Sequence, residues 1–183
     1  MNASEKTTKD TSPDNLPKVD GFGMTNYAYV KLSHNFYLEE FVTSQVAERF
    51  GYRNQPNKKQ IENLILLCKH VLQPLRELIA VPIIISSGFR SYEVNYAVGG
   101  RVNSQHLEGK AADFTVPGKD LKEVFEMIRK HFSFDQLIYE FEKWIHVSWN
   151  GEKNRNEVMI SKKVNGKTVY ERISEELKSE FNK

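Results

Sequence analysis

The chain has 183 residues, which fits one domain with tails and leaves no room for two full catalytic domains. Hydrophobic residues make up 39% and charged residues 27%, so the chain can build a core and is not a disordered protein. The formal net charge of +2 is far below the positive excess of a duplex-binding surface, which argues against nucleic acid as a partner. The single cysteine, Cys68, allows neither an intrachain disulfide nor a cysteine zinc cluster, so any metal must use histidine and carboxylate ligands.

Composition separates a polar start from the rest of the chain. Residues 1–23 are rich in Lys, Asp, Ser, Thr and Pro, so we predict a disordered tail followed by one domain over 24–183. This start lacks the apolar core of a secretory signal, and no stretch approaches the ~18 consecutive apolar residues of a membrane span. We therefore expect no transmembrane span, no signal peptide and a cytoplasmic location in the producing cell.

The spacing of apolar residues predicts short helical pieces within 33–50 and helices at 57–79 and 120–132. Pro74 should kink or restart the helix at 57–79, because it lacks an amide hydrogen and clashes with the preceding turn. Asp120 is the expected N-cap of the helix at 120–132. The pattern in the first region consists of Leu38, Phe41, Val42, Val46 and Phe50. The second region is the main core helix, and the residues expected on its buried stripe are Ile61, Leu64, Cys68, Val71, Leu75 and Leu78.

Short apolar and β-branched runs predict strands. The run 81–87 is expected to be a buried strand, and the following GFRSYEVN its exit loop. Asn165-Gly166 is a strong two-residue hairpin turn. Helices therefore come first and pack on a mostly antiparallel sheet, which defines an α+β class. The remaining strands are expected at 111–116, 134–140, 144–149, 157–164 and 167–173, of which 134–140 and 144–149 are close enough to form a hairpin.

The strongest chemical signal is the segment 104–113, SQHLEGKAAD. His106 supplies an imidazole, Gly109 allows a tight approach, and Asp113 follows two small residues on a strand. Zinc binds imidazole nitrogen and carboxylate oxygen, and a catalytic zinc uses three such ligands, for which His146 in WIHVS is the third candidate. Each residue alone is more often a core or capping residue, but the combination favours a metal site in a cleft. No chemistry is assigned to the other histidines, His34, His70 and His131.

The pattern S-x-H-x-x-G-x-A-x-D, preceded by S-G-[FY]-R-S and followed by W-x-H, resembles the zinc D-alanyl-D-alanine carboxypeptidase family, which has the Hedgehog-type fold. That family includes D-Ala-D-Ala dipeptidases and carboxypeptidases and the L-alanyl-D-glutamate endopeptidases of phage lysis proteins. The similarity covers about residues 33–160. SGFRS with Asn95, then DQLI at 135–138 and Trp144, look most like the phage and prophage murein-peptidase branch.

The resemblance implies a zinc ion held by His106, Asp113 and His146, with a carboxylate as general base for the zinc-activated water. The implied reaction is hydrolysis of a peptide bond next to a D-amino acid in the stem peptides of peptidoglycan. We expect this peptide as the partner and a monomeric chain that acts on the cell wall after release. The type of cut remains open between carboxypeptidase, dipeptidase and endopeptidase, as do a phage or bacterial role and the route to the wall.

The sequence departs from the family pattern at the position of the general base. Many relatives have Asp or Glu three residues before the last histidine, where this chain has Lys143. Glu140 and Glu142 are the substitutes. If 141–143 form a turn, Glu140 pairs with Trp144 and becomes a diagonal neighbour of the last histidine, roughly 7–8 Å away. We therefore prefer Glu140 as the general base and interpret Glu142 as a solvated charge.

Arg90 follows the predicted strand, where a guanidinium can bind a peptide carboxylate or stabilise the tetrahedral oxyanion, and the resemblance assigns it such a role. Ser104 either hydrogen-bonds the substrate or satisfies the loop backbone. Gln105 and Tyr92 are candidates for lining the cleft, and Trp144 is expected to pack beside the metal.

Two alternatives to an enzyme remain at this stage. One is a non-catalytic relative in which zinc stabilises the fold or a murein-binding module, and Lys143 is the residue that favours it. The other is a phage structural protein in which the domain attaches to murein without cleaving it.

Overall fold

The computed structural model describes residues 30–173, so the tail predicted at 1–23 and the domain boundary predicted at residue 24 lie outside the described residues. The described residues contain a six-stranded sheet in the order β1-β2-β4-β3-β5-β6. All neighbouring strands are antiparallel except β3 and β5, which are parallel. The predicted α+β class with a mostly antiparallel sheet is confirmed. The strands are β1 (Ile84–Ser87), β2 (Ala111–Thr115), β3 (Gln136–Glu140), β4 (Trp144–Ser148), β5 (Glu157–Val164) and β6 (Lys167–Arg172).

Helices cover one face of the sheet. Phe114 of β2, Leu137 of β3 and Val147 of β4 are fully buried in one cluster with helix residues such as Leu64 and Phe125. Because side chains alternate along a strand, the residues between these project from the opposite face. No helix between residues 30 and 173 is long and apolar enough to cross a membrane. The α-helices are α1 (Leu38–Val42), α2 (Gln45–Phe50), α3 (Lys58–Leu67), α4 (Gln73–Ile79), α5 (Tyr92–Ala97) and α6 (Leu121–His131).

The predicted core helix at 57–79 is interrupted before Pro74. Cys68–Leu72 form a π-helical segment, in which the Gln73 N–H donates to the carbonyl of Cys68. The wider turn accommodates the proline, which has no N–H to donate, and the backbone stays helical on both sides of it, so a π-helical turn takes the place of the predicted kink or restart. The additional residue also rotates the buried face. Ile79 is buried, whereas Leu78 is 54% exposed, and its predicted burial was wrong.

Two further predictions were wrong. The strand predicted at 81–87 begins only at Ile84, which is 49% exposed because β1 is an edge strand with β2 as its one partner in the sheet. The predicted loop GFRSYEVN contains the start of α5, whose N-cap Ser91 accepts a hydrogen bond from the Val94 N–H. The short helical pieces predicted within 33–50 are present as α1 and α2. Phe50 is 57% exposed, since the chain is extended at Ser44 and α2 therefore does not continue the apolar stripe of α1.

The hairpin of β3 and β4 has the predicted register. Glu140 pairs with Trp144, and the Lys143 N–H donates to the Glu140 carbonyl at 2.9 Å, which closes the turn at 141–143. Phe141 and Glu142 both adopt left-handed backbone conformations in this turn. The β5–β6 turn at Asn165-Gly166 is also confirmed, with positive φ at both residues as a type I′ turn requires.

Candidate metal centre

Three polar side chains converge on the sheet face opposite the main core. Asp113 of β2 pairs with His146 of β4, and His106 approaches from the 3₁₀-helix Gln105–Glu108. All three residues are buried, and one ligand atom of each lies within 4.8 Å of the others. Nδ1 of His146 is 2.8 Å from Oδ1 of Asp113, and Nε2 of His106 is 3.2 Å from the same oxygen and 3.3 Å from Nδ1 of His146.

Helix α3 holds the segment that carries His106. The Gln60 and Asn63 side-chain amides donate to two carbonyls of the 3₁₀-helix at 2.9 and 2.8 Å. Gly109 ends this helix with φ +67°, and a Cβ there would lie 2.4 Å from the Gln60 carbonyl oxygen. The glycine of the motif is therefore required both by its conformation and by its close approach to α3.

The hydrogen bonding of His106 tests whether the three residues fit a metal. Its Nδ1 lies 2.6 Å from the Gly88 carbonyl, which only accepts, so Nδ1 carries the proton. Burial lowers the pKa of His106, which favours the neutral ring. A neutral ring leaves the Nε2 lone pair facing the Asp113 carboxylate, and the two repel each other. A cation bound between them would remove this repulsion. Atoms bound to a tetrahedral zinc lie roughly 3.3 Å apart, close to the observed separations, so the residues fit zinc.

Asp113 is held on both of its carboxylate oxygens. Burial opposes its ionisation, but His106 and His146 outweigh burial and hold the pKa of Asp113 well below its ordinary 3.8. The second oxygen, Oδ2, accepts from Nη2 of Arg90 at 2.5 Å, and Nε of Arg90 donates to Oγ of Ser87 at 2.7 Å. Arg90 thus orients the carboxylate, and its predicted contact with a substrate stays a prediction.

Glu140 lies on the same face of the sheet as the three converging residues. It pairs with Trp144 on β4, while His146 pairs with Ile138 two residues before Glu140 on β3. Burial is the main cause that raises the pKa of Glu140, and the Asp113 charge adds to it; His146, Arg90 and Trp144 oppose the shift. A carboxylate with a raised pKa on this face is suited to accept and release a proton.

The other candidate residues lie around this group. Gln105 donates from Nε2 to Oδ2 of Asp135 at 2.9 Å, so its amide has a protein partner. Ser104 occupies the N-cap position of the 3₁₀-helix, but its side chain makes no capping hydrogen bond. Glu142 and Lys143 are exposed at the hairpin turn, and Tyr92 is 63% exposed on α5.

The remaining histidines are separate from the group. His34 and His131 are exposed. His70 stacks on the Trp149 ring with centroids 4.5 Å apart.

Some polar residues around the centre were missed by the sequence interpretation. Asp135 is 1% exposed and binds Arg155 as well as Gln105. Ser161 and Tyr170 continue the row of residues that begins at Glu140 across β5 and β6. The motif DQLI drew attention to Asp135 without indicating a role, and nothing local could reveal the other two, because their position depends on the order of the strands.

An α+β fold with a buried group of two histidines and an aspartate, and a glutamate on the same face, has the arrangement of a metal-dependent hydrolase. The profile of the peptidase M15 family matches residues 34–148, more than half of the chain, and the chain therefore belongs to this family. It is a metallopeptidase of a family whose zinc-dependent members act on cell-wall peptides. The family resemblance found in the sequence is thereby confirmed. No curated protein matches the chain.

Proposed function

We propose that the protein is a zinc peptidase that hydrolyses a bond next to a D-amino acid in the stem peptides of peptidoglycan. His106, Asp113 and His146 would hold the zinc ion. When bound, zinc polarises the scissile carbonyl and lowers the pKa of the attacking water to about 7. The observation that carries the proposal is the convergence of three ligand atoms, one of them on the tautomer of His106 fixed by the Gly88 carbonyl, beside a second acidic residue, Glu140.

Glu140 is the general base in this proposal. It would accept a proton from the attacking water and deliver it to the amine nitrogen as the carbon–nitrogen bond breaks. Its position is supported by the pairing with Trp144, which brings it diagonally next to His146 across the hairpin. Arg90 would keep the Asp113 carboxylate in position through Oδ2, leaving Oδ1 directed at the histidines.

The type of cut, the biological role and the substrate contacts are proposed from the family resemblance. A carboxypeptidase, a dipeptidase and an endopeptidase use the same chemistry and differ in how much of the peptide the cleft accepts on either side of the bond. A role in phage lysis, with release of the chain from the cytoplasm to the wall, is part of the proposal. Ser104 is proposed to contact the substrate, because its hydroxyl is not used for capping. Gln105 is proposed to line the cleft while its amide is bonded to Asp135.

Mass spectrometry of defined muropeptides, incubated with the zinc-loaded protein, tests this function. We expect one new pair of products, which identifies the bond, and about one zinc per chain in the purified protein. A chelator should abolish the cleavage and added zinc should restore it. Undiminished hydrolysis by fully demetallated protein would contradict a metallopeptidase mechanism.

A murein-binding module without catalysis is the second candidate, and one observation favours it. Lys143 stands at the position of the usual general base, where it is exposed at the hairpin turn. Incubation with purified sacculi separates the two candidates. Binding to sacculi without the release of peptide fragments would support the binding module, whether in a phage structural protein or elsewhere.

A further inference from the structure

The β5–β6 hairpin follows the part of the chain that matches the family, yet it extends the sheet beside Glu140. Glu140 pairs with Ser161 of β5, and Ser161 pairs with Tyr170 of β6. Paired residues project from the same face, so Tyr170 lies on the face that carries the metal-binding group. Neighbouring strands are about 4.8 Å apart, which separates the Cα atoms of Tyr170 and Glu140 by about 10 Å, or roughly three residues of an extended peptide.

A fixed loop brings a positive charge over Tyr170. The Arg101 carbonyl accepts from Nδ2 of the buried Asn95 at 2.9 Å and from the Ser104 N–H at 3.1 Å. A Cβ on Gly100 would lie 2.2 Å from Oδ1 of Asn95, so the loop closes tightly on that side chain. The Arg101 guanidinium consequently lies 5.7 Å from the centre of the Tyr170 ring.

The donors at this position lack acceptors within the described part of the chain. Arg90 is paired with Asp113, but no carboxylate between residues 30 and 173 forms an ion pair with the exposed Arg101. Oγ of Ser161 is buried between Glu140 and Tyr170 and has no hydrogen-bond partner among these residues. Burial, followed by the charge of Glu140, raises the pKa of Tyr170, so the phenol keeps its proton and remains a donor.

We propose that Arg101 and Tyr170 form a subsite for a carboxylate of the substrate, within about three residues of the cleaved bond. The guanidinium and the phenol O–H would both donate to this carboxylate. The inference rests on the proposed function and specifies its substrate as an acidic stem peptide. It also gives the β5–β6 hairpin a role in substrate selection, because Tyr170 belongs to the part of the chain that the family match does not cover.

The test uses the zinc-loaded full chain and a series of synthetic stem peptides, in each of which one carboxylate is converted to a carboxamide. For the wild type, we expect one conversion to lower kcat/KM roughly tenfold. In Arg101→Gln, kcat/KM for the peptide with the free carboxylate should fall by about the same factor. The variant should show no further loss of kcat/KM when that carboxylate is converted to the carboxamide. Tyr170→Phe keeps the ring under Arg101 but removes the O–H donor, so its kcat/KM for the peptide with the free carboxylate should fall several-fold. Lys167→Gln is the matched control, since it removes a positive charge from the same hairpin on the opposite face.

Two results would overturn the subsite while the proposed function stands. One is wild-type kinetics for Arg101→Gln with every peptide, and the other is an equal loss with every peptide, including the amides. If the wild type cleaves no stem peptide, the proposed function itself fails. Calorimetric binding of the same peptides then decides the subsite: affinity that depends on the carboxylate in the wild type but not in Arg101→Gln supports it, and equal affinities for acid and amide refute it.

Discussion

At the scale of single residues, Glu140 combines a half-buried carboxylate with a position on the sheet face where His106, Asp113 and His146 converge. Glu140→Gln keeps the shape of the side chain but cannot accept a proton. General acid–base catalysis is worth about 10²- to 10⁴-fold, so we expect kcat to fall by about that factor. Zinc content should not change, because Glu140 is outside the group of three ligand atoms. Steady-state kinetics and metal analysis of the purified variant measure both quantities.

Glu142→Gln is the control for this substitution. Glu142 is exposed in the turn, and its left-handed conformation is equally available to glutamine. We expect kinetics close to the wild type. The reverse result, an inactive Glu142→Gln with an active Glu140→Gln, would move the general base two residues along the chain.

Arg90 is the residue at which a conservative change is most informative. Arg90→Lys keeps the charge, but one ammonium cannot reproduce the planar group that donates to both Ser87 and Asp113. Residues that orient a metal ligand typically affect metal affinity or activity by about 10- to 100-fold, and we expect a loss of this size in zinc affinity. Competition with a zinc-binding dye measures it.

Kinetic measurements on Arg90→Lys distinguish the orienting role from two alternatives, binding of a substrate carboxylate and stabilisation of the transition state. Arg49→Lys, on the exposed side of α2, is the control. If Arg90 mainly anchors a substrate carboxylate, zinc affinity is unchanged and KM rises. If it stabilises the transition state, kcat falls at unchanged zinc affinity. Either outcome would contradict the orienting role inferred from its contact with Asp113.

At the scale of secondary-structure elements, the contact between α3 and the His106 segment controls the geometry of the centre. Gly109 and Gly118 both have positive φ, but only Gly109 faces a neighbouring backbone, the Gln60 carbonyl. Gly118→Ala should therefore cost only about 1 kcal/mol of unfolding free energy for its conformation. Gly109→Ala should cost at least about 2 kcal/mol more and also reduce zinc content, because the 3₁₀-helix must shift.

Urea unfolding of the two metal-free variants gives the comparison. Equal losses of stability for Gly109→Ala and Gly118→Ala would show that the approach to α3 has no energetic importance. Retained zinc in a destabilised Gly109→Ala would show that α3 supports the fold without positioning His106.

Local patterns in the sequence were enough to predict much of this architecture. The β3–β4 register followed from two short strands and a turn, and Asn165-Gly166 marked the second hairpin by its own conformational preference. The three converging residues were recognisable because their motif has a chemical meaning, although only the fold brings their ligand atoms within 4.8 Å.

Features that depend on distant segments could not be predicted in this way. The π-helical turn before Pro74 shifts the buried face from Leu78 to Ile79, and a regular helical period contains no sign of it. The parallel pairing of β3 with β5 joins residues about twenty positions apart along the chain and determines that Tyr170 lies in the Glu140 row. The approach of Arg101 to Tyr170 depends on this same pairing.

At the scale of the whole molecule, His106, Asp113 and His146 bring the His106 segment together with β2 and β4. The zinc site proposed there would link proton binding to metal binding, because metal ligands must be deprotonated. Burial lowers the pKa of His106 below its ordinary 6.5, and Asp113 stays ionised to well below 3.8. As the proposed ligands, these two residues can therefore bind zinc at neutral pH without first releasing protons. Protons compete for them only as the pH falls through the lowered values, and bound zinc delays this competition further.

Activity should respond to acid in a different way from zinc binding. The pKa of Glu140 is raised above its ordinary 4.5. The general base proposed here works only when ionised, so we expect turnover to be lost as the pH falls through this raised value. We expect kcat/KM to decline reversibly on mild acidification while zinc is still bound. Parallel measurements of kcat/KM and of zinc content after desalting, over the same series of buffers, check this order. Zinc release in step with the loss of turnover would assign the acidic limb to the histidine ligands and remove Glu140 as its cause.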